Sequence, residues 1–536
     1  MFRIAVAGLV FLCVSSAPLF ADQTCQGLMS LALEHASITS ASDVPEGPVS
    51  GGAPGGAPLT GPVIAPAHCA VQGIIRPTKD SEIHFELWIP ASGWNGKYLQ
   101  LGNGGWAGSI NRAGFAEPVK RGYAAAATDD GHQGGAGATW AIGHPEKLID
   151  FGYRAVHETN LQSKAIIQNF FGRAPSRSYF NGCSDGGREA LMEAQRYAED
   201  FDGIIAGAPA SDWSHLFTGF LWNARALTET PASAIPPAKL EVIQEAVLTE
   251  CDAADGVKDG LLQDPRACHF NPSVLICKGV EGPECLTAPQ VEALRKIYDG
   301  PKNPRTGASI FPGYARGTEA GPAGWAAWIT PASVTSSIQY GFGSSYYGQA
   351  VFEDPKWDYR TLNFDTDLAF GDQKAGPVLN ATNPDLRSFR ANGGKLIQYH
   401  GWGDPAISPV SSIAYYESVR AFLDRFPDPR HQGSASTQEF YRLFMVPGMG
   451  HCGGGVGANS FGNGPSAQTD PDHDVISALD RWVETGVAPD KIIATGAGVG
   501  DPAKVLTRPL CPYPQVARYN GTGDPNSAAS FACAVP

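Results

Sequence analysis

The chain has 536 residues, of which 43% are hydrophobic and 10% aromatic, so it can bury a large core and is neither a peptide nor a disulfide-stabilised miniprotein. Its 64 Gly and 42 Pro residues predict a globular fold with many loops. The formal net charge is −14, which argues against nucleic acid or an anionic membrane as the main partner.

Residues 1–21 have the features of a secretory signal peptide. A single basic residue, Arg3, precedes an apolar run, and small or turn-forming residues follow up to Ala21. Ser15 and Pro18 interrupt the run before it reaches the ~20 residues that a membrane span needs. We therefore expect cleavage near Ala21 and a secreted or periplasmic protein without a membrane anchor.

Ten cysteines remain after this cleavage, and an even number in an exported protein predicts disulfides. They are Cys25, Cys69, Cys183, Cys251, Cys268, Cys277, Cys285, Cys452, Cys511 and Cys533. The first two flank a segment, 41–67, that is rich in Gly, Pro, Ala and Ser, and we expect this segment to be an irregular surface stretch.

From about residue 70, short apolar segments alternate with segments of helical spacing. The predicted strands lie at 70–78, 81–90, 97–103, 122–130, 177–182, 204–210, 395–401 and 439–448, and the predicted helices at 150–172, 188–200 and 411–426. Strands that alternate with helices predict an α/β fold with a mostly parallel sheet covered on both faces.

The alternation stops near Asp212 and resumes near residue 386. We therefore expect an insertion at 212–385 between two parts of one α/β domain, 22–211 and 386–536. The insertion contains many aromatic residues: Trp213, Trp222, Trp325, Trp328, Tyr340, Phe342, Tyr346, Tyr347 and Phe352. Most of these rings should fill the insertion's own core, and a minority should line a pocket.

The most specific motif lies at 182–186, where Gly-Cys-Ser-Asp-Gly fits the pattern G-x-S-x-G. A predicted strand precedes it and a predicted helix follows, which is the context that exposes a nucleophilic serine, here Ser184, on a tight turn. Amides at the start of the helix can stabilise a developing oxyanion. We expect the Asp185 amide to be one donor and the amide of Gly104 or Gly105, in a Gly-rich loop, to be the second.

A serine nucleophile needs a base, and the base needs an acid that orients it. In sheets of this kind the order along the chain is serine, acid, histidine, and each partner lies just after the carboxyl end of a strand. Asp404 and His451 each follow a predicted strand in this order. His400 is more consistent with a packed or hydrogen-bonding role, and His473 and Asp472 lie in a loop that follows no buried strand.

Two cysteines adjoin the candidate nucleophile and base. Cys183 directly precedes Ser184, and Cys452 directly follows His451. If the two cysteines form a disulfide, it holds the serine and the histidine together although they are far apart in the sequence. The alternative is that each cysteine pairs elsewhere.

The Cys-Ser pair at the nucleophile and the His-Cys pair at the base, separated by a large cysteine-bearing insertion, resemble the tannase and feruloyl esterase family of α/β-hydrolases. The resemblance covers essentially the whole mature chain. It implies an α/β-hydrolase fold in which 212–385 forms a lid domain, with Ser184, Asp404 and His451 as the catalytic triad. It also implies the disulfide pairs Cys25–Cys69, Cys183–Cys452, Cys251–Cys268, Cys277–Cys285 and Cys511–Cys533.

One loop of the insertion carries three aspartates between two cysteines. Asp252, Asp255 and Asp259 repel one another unless a cation gathers them, and Ca²⁺ prefers such oxygen ligands. The pattern alone leaves a solvated acidic turn as the alternative. The family resemblance favours a structural Ca²⁺ in the lid, with the carbonyls of Val257 and Leu261 as further ligands.

The residues and the resemblance together imply a carboxylic ester hydrolase that forms an acyl-enzyme on Ser184. The family implies small aromatic esters of the hydroxycinnamoyl or galloyl type. The alternative within the family is mono(2-hydroxyethyl) terephthalate, whose free carboxylate favours a cationic partner. Residues 317–355 contain no Arg or Lys, although Arg316, Lys356 or Arg360 could fold inwards. From other classes, a binding protein on an inactive scaffold and a peptidase or acyltransferase stay open.

Overall fold

The computed structural model describes residues 24–49, 62–135, 137–426, 435–464, 468–498 and 501–536, except for the side chains of residues 435–436 and 501–503. The signal peptide expected at 1–21 lies outside these ranges. None of the helices within them combines the length and apolarity that a membrane crossing requires.

A mixed sheet forms the centre of the fold. Its strands and those of three small sheets are β1 (Ala36–Val44), β2 (Gly47–Val49), β3 (Val63–Ala65), β4 (His68–Ile75), β5 (Ile83–Pro90), β6 (Lys97–Leu101), β7 (Ala124–Thr128), β8 (Arg177–Cys183), β9 (Gly203–Gly207), β10 (Lys395–Gly401), β11 (Tyr441–Val446), β12 (Ile492–Gly498), β13 (Asp501–Leu510), β14 (Val516–Tyr519) and β15 (Phe531–Ala534). Over the described ranges, the main sheet has the order β1-β4-β5-β7-β6-β8-β9-β10-β11. Neighbours from β7 to β11 in this order are parallel, and β1, β4 and β5 add an antiparallel flank.

Helices cover both faces of the sheet and fill the connection between β9 and β10. They are α1 (Ala116–Lys120), α2 (Pro145–Ile149), α3 (Ala155–Phe171), α4 (Asp185–Arg196), α5 (Trp213–Thr228), α6 (Leu240–Cys251), α7 (Ala288–Asp299), α8 (Trp325–Trp328), α9 (Ile338–Ser345), α10 (Thr366–Lys374), α11 (Gly376–Leu379), α12 (Arg387–Ala391), α13 (Val410–Arg425), α14 (Ala435–Gln438) and α15 (Val475–Thr485). The predicted strands correspond to β4–β11, and the predicted helices to α3, α4 and α13. The α/β class is therefore confirmed.

Adjacent residues of the central strands serve opposite faces of the sheet. Ile204 of β9 belongs to the core that includes α3, α4 and α13, whereas Ile205 belongs to the core that includes α15. The same alternation occurs in β10, at Leu396 and Ile397. This is the period of two expected of strands that are buried on both sides.

The chain leaves the sheet after β9 and returns at β10, although these two strands are paired neighbours. The intervening residues, 208–394, contribute α5–α12 and, in the described part of the chain, no strand of the main sheet. Most of their apolar side chains fall into two clusters, one around Trp325 and one around Trp213 that also includes Trp106 and Phe151 from outside the segment. This placement matches an insertion between two strands of one sheet. That it forms a lid domain with bounds at 212 and 385 stays a prediction.

The expectation for 41–67 is wrong in part. β1 runs to Val44 and pairs antiparallel with β4 along its whole length, and β2 pairs with β3 inside this segment. Residues 50–61 lie outside the described residues. The sequence of β1, Ala-Ser-Ile-Thr-Ser-Ala-Ser-Asp-Val, is mostly polar because the strand lies at the edge of the sheet, so its hydrophobic pattern does not reveal it.

We expect Gly187→Ala to destabilise the fold, because α4 packs on β9 without room for a side chain at this position. A Cβ on Gly187 would lie 2.3 Å from the Gly207 carbonyl oxygen, and backbone cannot move aside cheaply. The free energy of unfolding in urea should fall by about 2 kcal/mol or more. The control is Gly341→Ala, in open space on α9, which should raise stability by about 0.5 kcal/mol. Equal stabilities of the two variants would contradict this packing.

Candidate active site

Ser184 lies at the tight turn between β8 and α4. Its φ of 66° and ψ of −118° are unusual for a residue that carries a side chain. A Cβ on Gly182 would lie 2.4 Å from the Gly186 carbonyl oxygen, and one on Gly186 would lie 2.8 Å from the carbonyl oxygen of Asn103. The motif therefore needs its two glycines, because the turn packs directly on itself and on the loop after β6.

Three side chains form one hydrogen-bonded chain at this turn. Ser184 Oγ lies 2.9 Å from Nε2 of His451, and Nδ1 of His451 lies 2.8 Å from Oδ2 of Asp404. Since a carboxylate only accepts, Nδ1 carries a proton, and in the neutral imidazole the Ser184 hydroxyl donates to Nε2. In this arrangement a histidine can take the proton of a serine hydroxyl. The structure brings together the three residues that the sequence singled out, and their roles in a reaction stay a prediction.

Asp404 is buried, and both of its oxygens accept hydrogen bonds. Oδ1 accepts the amides of Ala406 and Ile407 at 2.7 and 2.9 Å, while Oδ2 accepts from His451 and also from Nε2 of His400, at 3.1 Å. Burial by itself raises the pKa of Asp404, but the adjoining His451 and His400 rings outweigh it and hold this pKa below its usual value. Asp404 therefore stays ionised and fixes the orientation of the His451 ring.

The contact between His400 and Asp404 is a part of the site that the sequence did not identify. His400 is fully buried and has the expected hydrogen-bonding role, but with the candidate acid as its partner. His400 and Asp404 are four residues apart, on either side of the end of β10. This spacing was the only feature of the sequence that could have indicated their contact. His473 and Asp472, which were set aside as candidates for the base and the acid, have other surroundings. His473 pairs with Asp470, and Asp472 is exposed.

The structure joins the ten cysteines in the pairs that the family resemblance implies: Cys25–Cys69, Cys183–Cys452, Cys251–Cys268, Cys277–Cys285 and Cys511–Cys533. The bridge between Cys183 and Cys452 spans 269 residues of sequence. It joins the turn at Ser184 to the loop after β11 that carries His451. Because each cysteine is next in sequence to one of these residues, the bond limits how far the hydroxyl and the imidazole can separate.

The expected oxyanion donors lie close to Ser184. Asp185 is the first residue of α4, Gly104 and Gly105 lie in the loop after β6, and all three line the same cleft as Ser184. No described residue accepts a hydrogen bond from any of these three amides. They are therefore available to an oxygen that gains negative charge. Which of the two glycines would act stays a prediction.

A cleft of about 440 Å³ opens over Ser184 and His451. The insertion supplies an aromatic wall to this cleft. Trp328 packs edge-on against the His451 ring, with ring centroids 5.2 Å apart, and Phe342 stacks between Trp328 and Phe217. The site can therefore hold a flat apolar group directly beside the candidate base.

Of the aromatic residues singled out in the sequence, three line the cleft: Trp213, Trp328 and Phe342. The others pack inside the insertion or against each other: Trp222, Trp325, Tyr340, Tyr346, Tyr347 and Phe352. Two aromatic lining residues of the insertion were missed, Phe217 and Phe220. Both lie on α5 at helical spacing from Trp213, which was the signal that could have found them.

The cleft offers little to a negatively charged substrate. Arg121 lines it, but this guanidinium donates to both oxygens of Asp474 at 2.8 Å and to Glu117 at 2.9 Å. The lining includes none of the three cations considered from the sequence, Arg316, Lys356 and Arg360. Within the described residues, the cleft thus holds no unpaired cation for a carboxylate.

The three aspartates predicted to bind Ca²⁺ lie in a loop closed by the Cys251–Cys268 disulfide: Asp252, Asp255 and Asp259. Each carboxylate accepts a backbone amide of this loop. Asp259 also accepts Nη2 of Arg508 at 2.7 Å, a contact that the sequence did not reveal. The carbonyls of Val257 and Leu261 accept no hydrogen bond from a described residue. The oxygens fit the ligand preference of Ca²⁺, and the binding of an ion stays a prediction.

We expect the double variant Cys183→Ser with Cys452→Ser to lose the alignment of Ser184 with His451 while the sheet stays folded. Its reaction with a fluorophosphonate, which labels activated serine hydroxyls, should slow by at least about tenfold, because small misplacements of reacting groups are costly. The control is Cys277→Ser with Cys285→Ser, which removes a bridge outside the cleft lining. Labelling of both double variants at the unmodified rate would refute this role of the bridge.

Comparisons with known proteins identify the family of this chain. The family model described as tannase and feruloyl esterase matches residues 69–534. The chain is 45% identical to an uncharacterised esterase of Xanthomonas campestris, over 96% of this chain and 91% of that protein. It is 34% identical to the mono(2-hydroxyethyl) terephthalate hydrolase of Piscinibacter sakaiensis, over 88% of this chain and 85% of that protein.

A solved structure is similar over nearly the whole chain. The crystal structure of feruloyl esterase B from Aspergillus oryzae superposes with a TM-score of 0.84 at 28% sequence identity, covering 95% of this chain and 100% of that one. The extent of the family match excludes a resemblance confined to one motif. The chain therefore belongs to the tannase and feruloyl esterase family of α/β-hydrolases and is a carboxylic ester hydrolase.

Proposed function

We propose that this chain is a secreted serine esterase that hydrolyses neutral aromatic esters, of the hydroxycinnamoyl or galloyl type, through an acyl-enzyme. The observation that carries the proposal is the hydrogen-bonded chain Ser184–His451–Asp404 in a cleft with an aromatic wall. The stacked row of Trp328 and Phe342 beside the base supports a flat acyl group.

In the proposed reaction, Ser184 Oγ attacks the ester carbonyl carbon while His451 Nε2 takes the hydroxyl proton. Asp404 stabilises the imidazolium, and the Asp185 amide with that of Gly104 or Gly105 binds the oxyanion. Collapse of this intermediate breaks the ester C–O bond, and the leaving alcohol receives the proton from the imidazolium. Water, deprotonated by the same imidazole, then attacks the acyl carbon; the bond to Ser184 Oγ breaks, the imidazolium returns the proton to this oxygen, and the carboxylic acid is released.

We assign the inserted segment, 212–385, the role of a lid. Its support is that this segment supplies the apolar side of the cleft, including Trp213, Phe217, Trp328 and Phe342, while the sheet domain supplies the candidate triad. A group enclosed between the two parts is shielded from water, which strengthens the hydrogen bonds to a developing oxyanion.

Hydrolysis of mono(2-hydroxyethyl) terephthalate is the second candidate, because a relative that is 34% identical carries this activity in its name. The pairing of Arg121 with Asp474 and Glu117 weighs against it. A substrate carboxylate in this cleft would lose its water without gaining a free cationic partner, which costs on the order of several kcal/mol.

Secretion is supported by the five disulfides, which persist in oxidising compartments. It is also supported by the predicted signal peptide at 1–21.

We expect purified mature protein to hydrolyse methyl ferulate or methyl gallate with a kcat/KM at least about tenfold above that for mono(2-hydroxyethyl) terephthalate, owing to the missing cation. Ser184→Ala should lower kcat by at least about 10³-fold, because it removes the nucleophile. The control is Ser109→Ala, which also changes a hydroxyl that lines the cleft but should stay within about threefold of the unmodified enzyme. Turnover that survives Ser184→Ala would overturn the mechanism, and faster hydrolysis of the terephthalate would favour the second candidate.

We further propose a structural Ca²⁺ held by the carboxylates of Asp252, Asp255 and Asp259 and the carbonyls of Val257 and Leu261. The oxygen-only donor set and the two free carbonyls support this assignment. When bound, the ion would neutralise the three carboxylates and cross-link the loop. The loop lies outside the cleft lining, so no step of the reaction needs the ion.

Addition of Ca²⁺ to chelator-treated protein should raise its melting temperature by a few degrees, since a ligand that binds only the folded state stabilises it by about 2.7 kcal/mol at 100 times its Kd. Asp255→Asn should remove this shift, while Glu250→Gln, an exposed acid just before the loop, should keep it. Calorimetric titration gives the binding directly. An equal shift in Asp255→Asn would reject this ligand set.

A further inference from the structure

Glu189 connects the helix that follows Ser184 to the loop that carries Gly104 and Gly105. Its Oε2 accepts the backbone amide of Asn103, directly before Gly104, at 3.0 Å. Glu189 lies four residues after Asp185 in α4, and helical side chains lean towards the helix N-terminus, so its carboxylate reaches the loop. One side chain thus ties together the two elements that supply the candidate oxyanion donors.

The loop and the helix are in close contact around this carboxylate. A Cβ on Gly102 would lie 2.7 Å from Glu189 Oε2. The Asn103 carbonyl accepts the Gly186 amide at 2.9 Å, and Nδ2 of Asn103 donates to the Thr128 carbonyl at 2.9 Å. Asn103 is therefore fixed by three hydrogen bonds, through its amide, its carbonyl and its side chain. Of its three partners, only Glu189 is a carboxylate.

Glu189 also belongs to a group of three buried carboxyls, with Asp130 and Asp185, whose oxygens come within 4.8 Å of one another. Arg188 pairs with Asp185 at 2.5 Å. Oε1 of Glu189 and both oxygens of Asp130 have no N–H donor among the described residues. Burial first, and then the charge of Glu189, raise the pKa of Asp130 well above its usual value.

The partners around Glu189 keep its side chain in place. A protonated Asp130 can donate to Glu189, while Arg188 pairs with Asp185. The Asn103 amide is therefore held by a buried side-chain acceptor that is itself fixed on the nucleophile's helix.

We propose that Glu189 is a positioning residue: it holds the Asn103 amide, and through it the amides of Gly104 and Gly105, at the place where they bind the oxyanion formed on Ser184. The inference rests on the proposed serine-esterase function. Glu189 does not line the cleft, so it acts through the loop and not on the substrate.

The test compares Glu189→Met, which keeps the volume of the side chain but removes the acceptor, with Glu189→Gln, which keeps an acceptor oxygen. For hydrolysis of methyl ferulate, Glu189→Met should lower kcat by about 10- to 100-fold with a smaller change in KM, because oxyanion contacts form only in the transition state. Glu189→Gln should stay within about threefold of the unmodified enzyme. The Kd of an aryl boronic acid, whose adduct on Ser184 is tetrahedral, should rise in Glu189→Met by a similar factor as kcat falls.

The matched control is Glu193→Met, one turn further along α4. Glu193 is also buried, and neither of its carboxylate oxygens has a donor among the described residues, but the structure gives it no contact with the loop at 102–105. This variant should keep its kcat per folded molecule whatever its effect on stability, which separates positioning from a general effect of removing a buried carboxyl of α4. Should Glu189→Met not fold, the smaller Glu189→Ala gives the same comparison.

Unchanged kcat in the folded acceptor-free variant would overturn the inference, and so would an equal loss in Glu189→Gln or in Glu193→Met. Failure of the proposed function has a different signature, since Ser184→Ala would then remain active. An inactive Ser184→Ala together with a fully active acceptor-free variant would reject only the role of Glu189.

Discussion

The disulfide between Cys183 and Cys452 is the constraint on which the candidate site depends. Ser184 lies in the part of the chain before the insertion and His451 in the part after it, so no local segment holds them together. Parallel pairing of β8, β9, β10 and β11 brings the strand ends to one edge of the sheet. The sheet places the two segments near each other, and the disulfide then limits the remaining freedom at the 2.9 Å contact between Oγ and Nε2.

The two parts of the molecule contribute different properties to the cleft. The sheet domain supplies the hydrogen-bonded chain from Ser184 to Asp404, and the inserted helices supply the aromatic wall. Trp328 contacts both of these parts, because its ring packs against His451 and also stacks on Phe342 of the aromatic wall. Substitutions in the aromatic wall can therefore change which substrate fits without touching the Ser184–His451–Asp404 chain, except at Trp328.

A feature could be predicted from the sequence where its signal lies in neighbouring residues of the chain. Ser184, Asp404 and His451 could be assigned because each lies within five residues after the end of a buried strand, and strand ends meet at one edge. The cysteine pairing needed the family resemblance, since spacing does not report which loops meet. β1 was missed because an edge strand carries no apolar alternation.

The remaining contacts depend on side-chain directions that no local pattern reports. Within the buried strand β10, only the fold determines that His400 turns towards Asp404. Arg508 reaches Asp259 across 249 residues of sequence, and Glu189 meets the amide of Asn103 in a loop 86 residues earlier. Such pairs become visible only when the packing of α4 and β13 is known.

Mass spectrometry of the enzyme quenched within its first turnover of an aromatic ester tests directly whether Ser184 becomes acylated. We expect a mass increase equal to the acyl group, located on the peptide that contains Ser184, and no such increase when His451 is replaced by Ala. Product release without any adduct on Ser184, or an adduct that forms equally fast without the imidazole, would contradict this expectation.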